Sequence, residues 1–388
     1  MGYNPPSVAQ QHNRPALLLR IRTLRQAQGE REGKEQYCVT PFDKGRAGGI
    51  MSSNTNLLYQ DLTPDRLLNA IESIGYPCDG RVLALNSYEN RVYQIGLEGA
   101  APIIAKFYRP NRWTNAAILE EHAFAQELVE HELPVVAPLP DAAGRTLHEY
   151  EGFRFALFPR CAGRTPELDD PDTLEWMGRF IARIHAVGAL KPFVHRPVVN
   201  IESFGIEPYA FILEHDFIPA ELQQTYRSVM DDVMLRVRRC FAQAPDVAHI
   251  RLHGDCHPGN ILWSPLDSPL PGPHFVDFDD CRSGPAIQDI WMLLSGERAA
   301  MNTQLMYIME GYNEFYDFNP VELHLVEALR TLRIIHYAGW LARRWEDPAF
   351  KMSFPWFNTQ RYWQDHILAL REQMSLLDDS PLALPGFF

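Results

Sequence analysis

The chain has 388 residues, a formal charge of −13 and a pI near 5.5, so it can bury a substantial core but lacks the basic face that nucleic acid requires. No apolar run approaches the roughly 20 residues of a membrane span. The six cysteines (Cys38, Cys78, Cys161, Cys240, Cys256 and Cys281) include no Cys-x-x-Cys pair, which excludes a disulfide framework and leaves a cytoplasmic enzyme, expected as a monomer without membrane or nucleic-acid partners.

In chain order, the first stretch stands apart. Basic residues outnumber acidic ones before Met51, and there is no sustained apolar period to offset the entropy of ordering. Residues 1–53 are therefore expected to be a disordered or non-native extension, with Met51 beginning the functional protein. Thr63-Pro64-Asp65 then predicts a helix start, Leu67, Leu68, Ile71 and Ile74 its buried stripe, and Gly75 its stop. Residues 82–85, 91–97 and 103–108 read as three strands. The turn joining the first two, Asn86-Ser87-Tyr88-Glu89-Asn90, contains no glycine. Its backbone N–H groups and the Ser87 hydroxyl suit a phosphate, although it equally reads as an ordinary hairpin turn.

The third strand carries one lysine, Lys106, among apolar neighbours. In the helix that follows, capped by Thr114, Ile118, Glu121, Ala125 and Leu128 share one face. A carboxylate on a core-facing stripe needs a partner, so a Lys106–Glu121 ion pair accounts for both residues, with Glu120 the second choice. Residues 134–140 form a proline-rich bend. Phe153, Phe155 and Phe158 lie on a further strand ending at Pro159, and at least one of them belongs to the core. Residues 175–187 make an amphipathic helix closed by Gly188, with Met177, Ile181, Ile184 and His185 on one side and His185 a core histidine. Residues 222–242 are helical, and the last third is helical and rich in Trp, Tyr and Arg.

The most informative stretch is Leu252-His253-Gly254-Asp255-Cys256-His257-Pro258-Gly259-Asn260-Ile261-Leu262-Trp263, answered by Phe275-Val276-Asp277-Phe278-Asp279-Asp280. Short apolar runs deliver the chain to a loop and take it away, and Pro258-Gly259 tightens the turn. Two carboxylates and a carboxamide thus stand at strand ends, a set suited to holding Mg²⁺ with hard oxygens and to aiming a hydroxyl at a phosphate. A zinc site built from His253, Cys256 and His257 lacks a fourth ligand at a usable spacing. Downstream, Asp289 interrupts the apolar helix 286–294, where a buried carboxylate usually accepts loop N–H groups.

This pair of motifs resembles the catalytic core of the protein-kinase-like superfamily, and the His-Gly-Asp opening resembles its aminoglycoside phosphotransferase and choline kinase branch. Further segments, Asn86 to Tyr93, Lys106-Phe107-Tyr108-Arg109-Pro110 and Trp345-Glu346-Asp347-Pro348-Ala349-Phe350, are similar to the bacterial stress response kinase A family. The resemblance covers residues 54 to 385. It implies an α+β, two-lobed fold: a small antiparallel-sheet N-lobe (54–158) that binds nucleotide, and a larger, mainly helical C-lobe (159–388). It also implies ATP as co-substrate, Mg²⁺ as cofactor and a protein Ser/Thr hydroxyl as acceptor. A small-molecule alcohol acceptor is the alternative, and the absence of an Ala-Pro-Glu-like segment after Asp277 leans towards it. On the resemblance Asp255 is the catalytic base, Asn260 and Asp277 hold Mg²⁺, Lys106 holds phosphates with Glu121 behind it, and Ser87 lies in the phosphate loop. Phe158 lines the adenine pocket, and Asp289 braces the catalytic loop. Asp279 stands where the kinase Asp-Phe-Gly motif has glycine.

Overall fold

The computed structural model describes residues 59–85, 87–264 and 271–384. The expectations for residues 1–53 and Met51, and Asn86 of the phosphate turn, lie outside them. Helix α1 (Pro64–Glu72) begins where the Thr63 hydroxyl accepts the Arg66 N–H, with proline in the first turn. Strands β1 (Cys78–Leu85), β2 (Arg91–Leu97) and β3 (Ala100–Phe107) follow, then α2 (Asn115–Glu130), β4 (His148–Tyr150) and β5 (Phe153–Pro159). They form one antiparallel five-stranded sheet in the order β1-β2-β3-β5-β4. Leu67 and Ile71 of α1 pack with Ile95, Ile103, Phe107, Phe153, Phe155 and Leu157 in one apolar cluster.

The rest is mainly helical. Helix α3 (Pro171–Gly188) is followed by α4 (Glu207–Glu214) and α5 (Ala220–Ala242). Beyond the site strands come α6 (Ile287–Trp291), α7 (Arg298–Tyr312), α8 (Val326–Arg343), α9 (Pro348–Ser353) and α10 (Gln360–Asp378). Helix α3 starts four residues before the expected 175 because Asp170 caps it, accepting both the N–H and the hydroxyl of Thr173, with Pro171 in the first turn. It packs closely on α7: a Cβ on Gly178 would stand 2.0 Å from the Ile308 carbonyl oxygen, so only glycine permits the approach. His185 is buried there, with its Nδ1 2.8 Å from the Tyr312 hydroxyl. Among the described residues no helix is long and apolar enough to cross a membrane.

Four short strands carry the motif loops. β6 (Ile250–Leu252) pairs with β9 (Arg282–Gly284), and β7 (Ile261–Ser264) pairs with β8 (Gly272–Phe275). The strand entering the first loop is thus paired with the strand leaving the second, which interlocks the two. The proline-rich bend meets this ribbon, since the Phe275 N–H donates to the Pro134 carbonyl and the Val136 N–H to the Phe275 carbonyl.

Helix α6 is only five residues long, and its start is held from outside. Glu322, 4% exposed, accepts the Ile287 N–H at 2.8 Å. Burial pushes the Glu322 carboxyl up to about 7, against the pull of the backbone N–H groups of Ile287 and Ala286. Because the folded value lies above the unfolded one, the stabilisation is full at low pH and is lost as pH rises through about 7. Glu322→Gln keeps the acceptor without the charge. Relative to the parent it should therefore gain on the order of 1–3 kcal/mol in stability between pH 5 and pH 8. Thermal unfolding at the two pH values checks this, and an unchanged gap refutes it.

Candidate active site

The first loop is fixed by its neighbours before any ligand is considered. Gly254 has φ +82°, and a Cβ there would stand 2.3 Å from the Asp280 carbonyl oxygen, so this position requires glycine. Asp289 on α6 accepts the His253 N–H through Oδ2 and the Gly254 N–H through Oδ1, each at 2.8 Å. Its Oδ2 is also 3.2 Å from His185 Nε2. His253 Nε2 donates to the Val276 carbonyl, while its Nδ1 accepts the Asp255 N–H. A buried network of this kind sets one loop geometry. It also engages both ring nitrogens of His253; His257 Nδ1 accepts the Gly259 N–H and Cys256 is buried.

Asp255 stands at the tip. Its Oδ1 is 2.7 Å from an Arg333 guanidinium nitrogen on α8. Its Oδ2 has only longer neighbours, His257 Nε2 at 3.6 Å and Asn260 Nδ2 at 3.5 Å. Burial pushes the Asp255 carboxyl up, but Arg333 and His257 outweigh it and hold the group below the usual carboxylate range. Asn260 Nδ2 donates to the Asp255 carbonyl at 3.0 Å, which leaves the Asn260 side-chain oxygen as an acceptor.

Asp277 follows β8 in the left-handed region (φ 61°, ψ 61°), and its side chain is 55% exposed. Lys106 reaches it from β3, with Nζ 2.9 Å from Asp277 Oδ1, 3.3 Å from Asp279 and 3.6 Å from Glu121. The expected Lys106–Glu121 contact is present, as the longest of three. Burial alone would lower the Lys106 ammonium, yet the three carboxylates hold it well above its ordinary value. Burial likewise lifts the Glu121 carboxyl, which Lys106 only partly offsets. Glu120 points elsewhere: its carboxylate accepts the N–H groups of Val194, His195 and Arg196 at 2.6–2.8 Å.

Two buried arginines complete the floor, and neither carries a recognisable motif. Arg112 pairs with Asp279 and, at 2.8 Å, with Asp280. Arg196 donates to the carbonyls of Asp279 and Cys281, and its guanidinium lies 4.1 Å from the Trp113 ring centroid. The carboxylates of Asp279 and Asp280 are therefore each paired with an arginine. Ser87, half-buried, donates to the Asn90 carbonyl at 2.9 Å. Phe158 pairs with Ile104, so it shares a sheet face with Lys106 two residues along. Its ring packs towards Tyr108, Ile118 and His122, whereas Phe153 and Phe155 lie in the core beneath α1.

The donor set fits a hard divalent cation. An exposed carboxylate and a carboxamide oxygen are the protein share that Mg²⁺ typically takes when phosphates and water supply the rest. Among the described residues no group of three or more His, Cys, Asp or Glu is arranged to hold a metal unaided.

Residues 81–325 match the family described as "Phosphotransferase enzyme family". Stress response kinase A of Escherichia coli O157:H7 is 42% identical over 336 residues, covering 87% of this chain and all of that protein. A protein of Salmonella typhimurium named serine/threonine protein kinase RdoA is 42% identical over 330 residues, covering 85% and 98%. Among solved structures, an amicoumacin kinase in complex with AMP-PNP and Ca²⁺ aligns with TM-score 0.61 and 17% identity, covering 82% of this chain and 95% of that one. A microcompartment-associated aminopropanol kinase aligns with TM-score 0.60 and 15% identity, covering 80% and 98%.

Proposed function

The chain belongs to the phosphotransferase enzyme family and is a kinase, and on that premise we propose that it moves the γ-phosphoryl group of ATP to serine or threonine hydroxyls of proteins. The observation that carries the catalytic part is that Lys106 meets Asp277 while Asn260 meets Asp255, with the Val276 N–H donating to the Asn260 carbonyl between the two pairs and Asp289 bracing the first loop. The protein acceptor rests on near-full-length likeness to relatives named for stress response and for serine/threonine phosphorylation. We take residues 54–158 as the nucleotide lobe, 159–388 as the acceptor lobe and the cytoplasm as the setting.

In this reading Lys106 leaves its carboxylates to hold the phosphates, and Glu121 limits where the ammonium can go. Ser87 and the N–H groups of its turn cover the phosphates, and Phe158 sits beside the base. Asn260 and Asp277 would hold Mg²⁺, which when bound would supply positive charge against the phosphates. Asp255 orients the acceptor hydroxyl with Oδ2 and takes its proton, while Arg333 keeps Oδ1 in place. Chemistry of this kind depends on position more than on basicity.

The acceptor is tested with purified protein, labelled ATP and Mg²⁺, offered a proteome extract beside a panel of small alcohols. Label in protein serine and threonine is the expected result. Label only in small alcohols overturns the protein acceptor, an outcome that the names of the aligned small-molecule kinases make worth including. A second expectation concerns Lys106→Met, which removes a charged hydrogen bond and should weaken ATP binding or turnover on the order of 10- to 100-fold. Glu121→Gln should stay within about tenfold, because Asp277 and Asp279 still face Lys106. Titration with ATP measures both, and unaltered binding and turnover in Lys106→Met removes the phosphate role.

A further inference from the structure

A loop that wraps phosphates usually relies on glycine, whose free backbone lets several N–H groups turn inward. The turn between β1 and β2 has no glycine, so its shape must be imposed from outside. Glu89, its penultimate residue, shows how. The Glu89 side chain is 12% exposed, and Oε2 accepts the Trp340 indole N–H at 2.6 Å and lies 2.6 Å from Arg344 Nε. Both partners are on or beside α8, in the other lobe. Oε1 faces Arg109 at 3.1 Å and Arg112 at 3.8 Å. The Glu89 carbonyl accepts from Arg109 Nε at 3.1 Å, and the Asn90 side chain accepts the Arg109 N–H.

A second fastening runs alongside. Arg109 donates to Asp347 at 2.6 Å, and its guanidinium lies over the Phe350 ring at 5.0 Å. The Tyr88 ring meets Phe354 at 4.8 Å between centroids. These contacts use the Trp345-to-Phe350 segment singled out in the sequence, to which the catalytic reading gives no task.

We propose that Glu89 is a positioning residue for the nucleotide phosphates: it bolts the glycine-free loop to Trp340 and Arg344, with Asp347 and Phe354 as a second strap, so that nucleotide is retained only while this bolt holds. The inference rests on the reading that residues 87–90 cover the phosphates. Loss of the bolt frees the loop without touching Lys106, Asp255 or Asp277. Its signature is therefore faster nucleotide release and a higher KM for ATP, with kcat changed far less.

The test measures dissociation of ATP, ADP and adenosine from the full chain carrying Glu89→Gln, Trp340→Phe or both, with Lys106→Met as reference. Each single variant should release ATP and ADP about tenfold faster and adenosine unchanged. The double variant should be scarcely worse than either single one, as for residues acting as one unit. Trp340→Phe keeps an aromatic ring at the position while removing the indole donor, so it stays informative should Glu89→Gln fold poorly. Unchanged ATP release in both single variants, or effects that simply add, overturns the bolt, and weakened ATP binding in Lys106→Met then shows that the phosphate reading survives. Adenosine release accelerated as much as ATP release in the single variants, or an unaffected Lys106→Met, overturns the phosphate reading itself and the bolt with it.

Discussion

Asp255→Asn should lose on the order of 10²–10⁴ in turnover, the usual contribution of a positioned acid–base group, while ATP affinity hardly changes. The substitution keeps the volume and lets an amide oxygen face Arg333, so the loop held by Asp289 has no reason to move. It removes the second carboxylate oxygen, the one whose nearest polar neighbours lie at 3.5 and 3.6 Å and which is open to an acceptor hydroxyl. On the proposed reading, nucleotide contacts fall to other residues, hence the expected split between binding and turnover. Nucleotide titration beside a single-turnover assay reads both. Equal loss of ATP binding would make Asp255 a structural or metal-holding residue, and Asp279 and Asp280 are poor replacements because Arg112 and Arg282 occupy them.

Asp277→Asn is the second large effect. Asp277 sits at φ 61°, ψ 61°, a conformation that asparagine and aspartate adopt more readily than other residues with a Cβ. Asparagine therefore tests the charge alone, whereas alanine would add backbone strain of roughly 1–2 kcal/mol. If Asp277 and Asn260 hold the cation, losing this charge should cost several kcal/mol of transition-state stabilisation, or roughly 10²–10³ in rate. The dependence on Mg²⁺ should shift to higher concentration while the melting temperature stays close to that of the parent. Near-full activity at ordinary Mg²⁺ would sink the assignment of this strand end.

The placement of the site was legible where chemistry follows spacing. Asp255 and Asn260 are five apart on one loop, Asp277 ends the answering strand, and Lys106 and Glu121 are odd charges on apolar faces. Asp289 was legible for the same reason as Glu121: a carboxylate on a buried stripe has to be satisfied. Arg112, Arg196 and Arg333 were not, because the partners named above lie from 78 to 168 residues away and arginine at a surface-looking position carries no local mark. Three-residue strands such as β4 and β9 are too short to show a period, so the interlocking of the two loops escaped as well. The early start of α3 was written in Asp170-Pro171, but its apolar stripe is clearest only further on, which drew the expected boundary inward.

Lys106, shared among Asp277, Asp279 and Glu121, gives this cluster of carboxylates its own counter-ion. The ammonium sits against the very carboxylate assigned to the metal, and being well above its ordinary value it stays charged throughout the physiological range. On the proposed reading, nucleotide binding is thus an exchange of partners rather than an addition of charge: Lys106 would pass from carboxylate to phosphate as Asp277 becomes free for a cation. A divalent ion offered without nucleotide meets a tenant with no better address, so the protein should be nearly indifferent to Mg²⁺ until ATP is present.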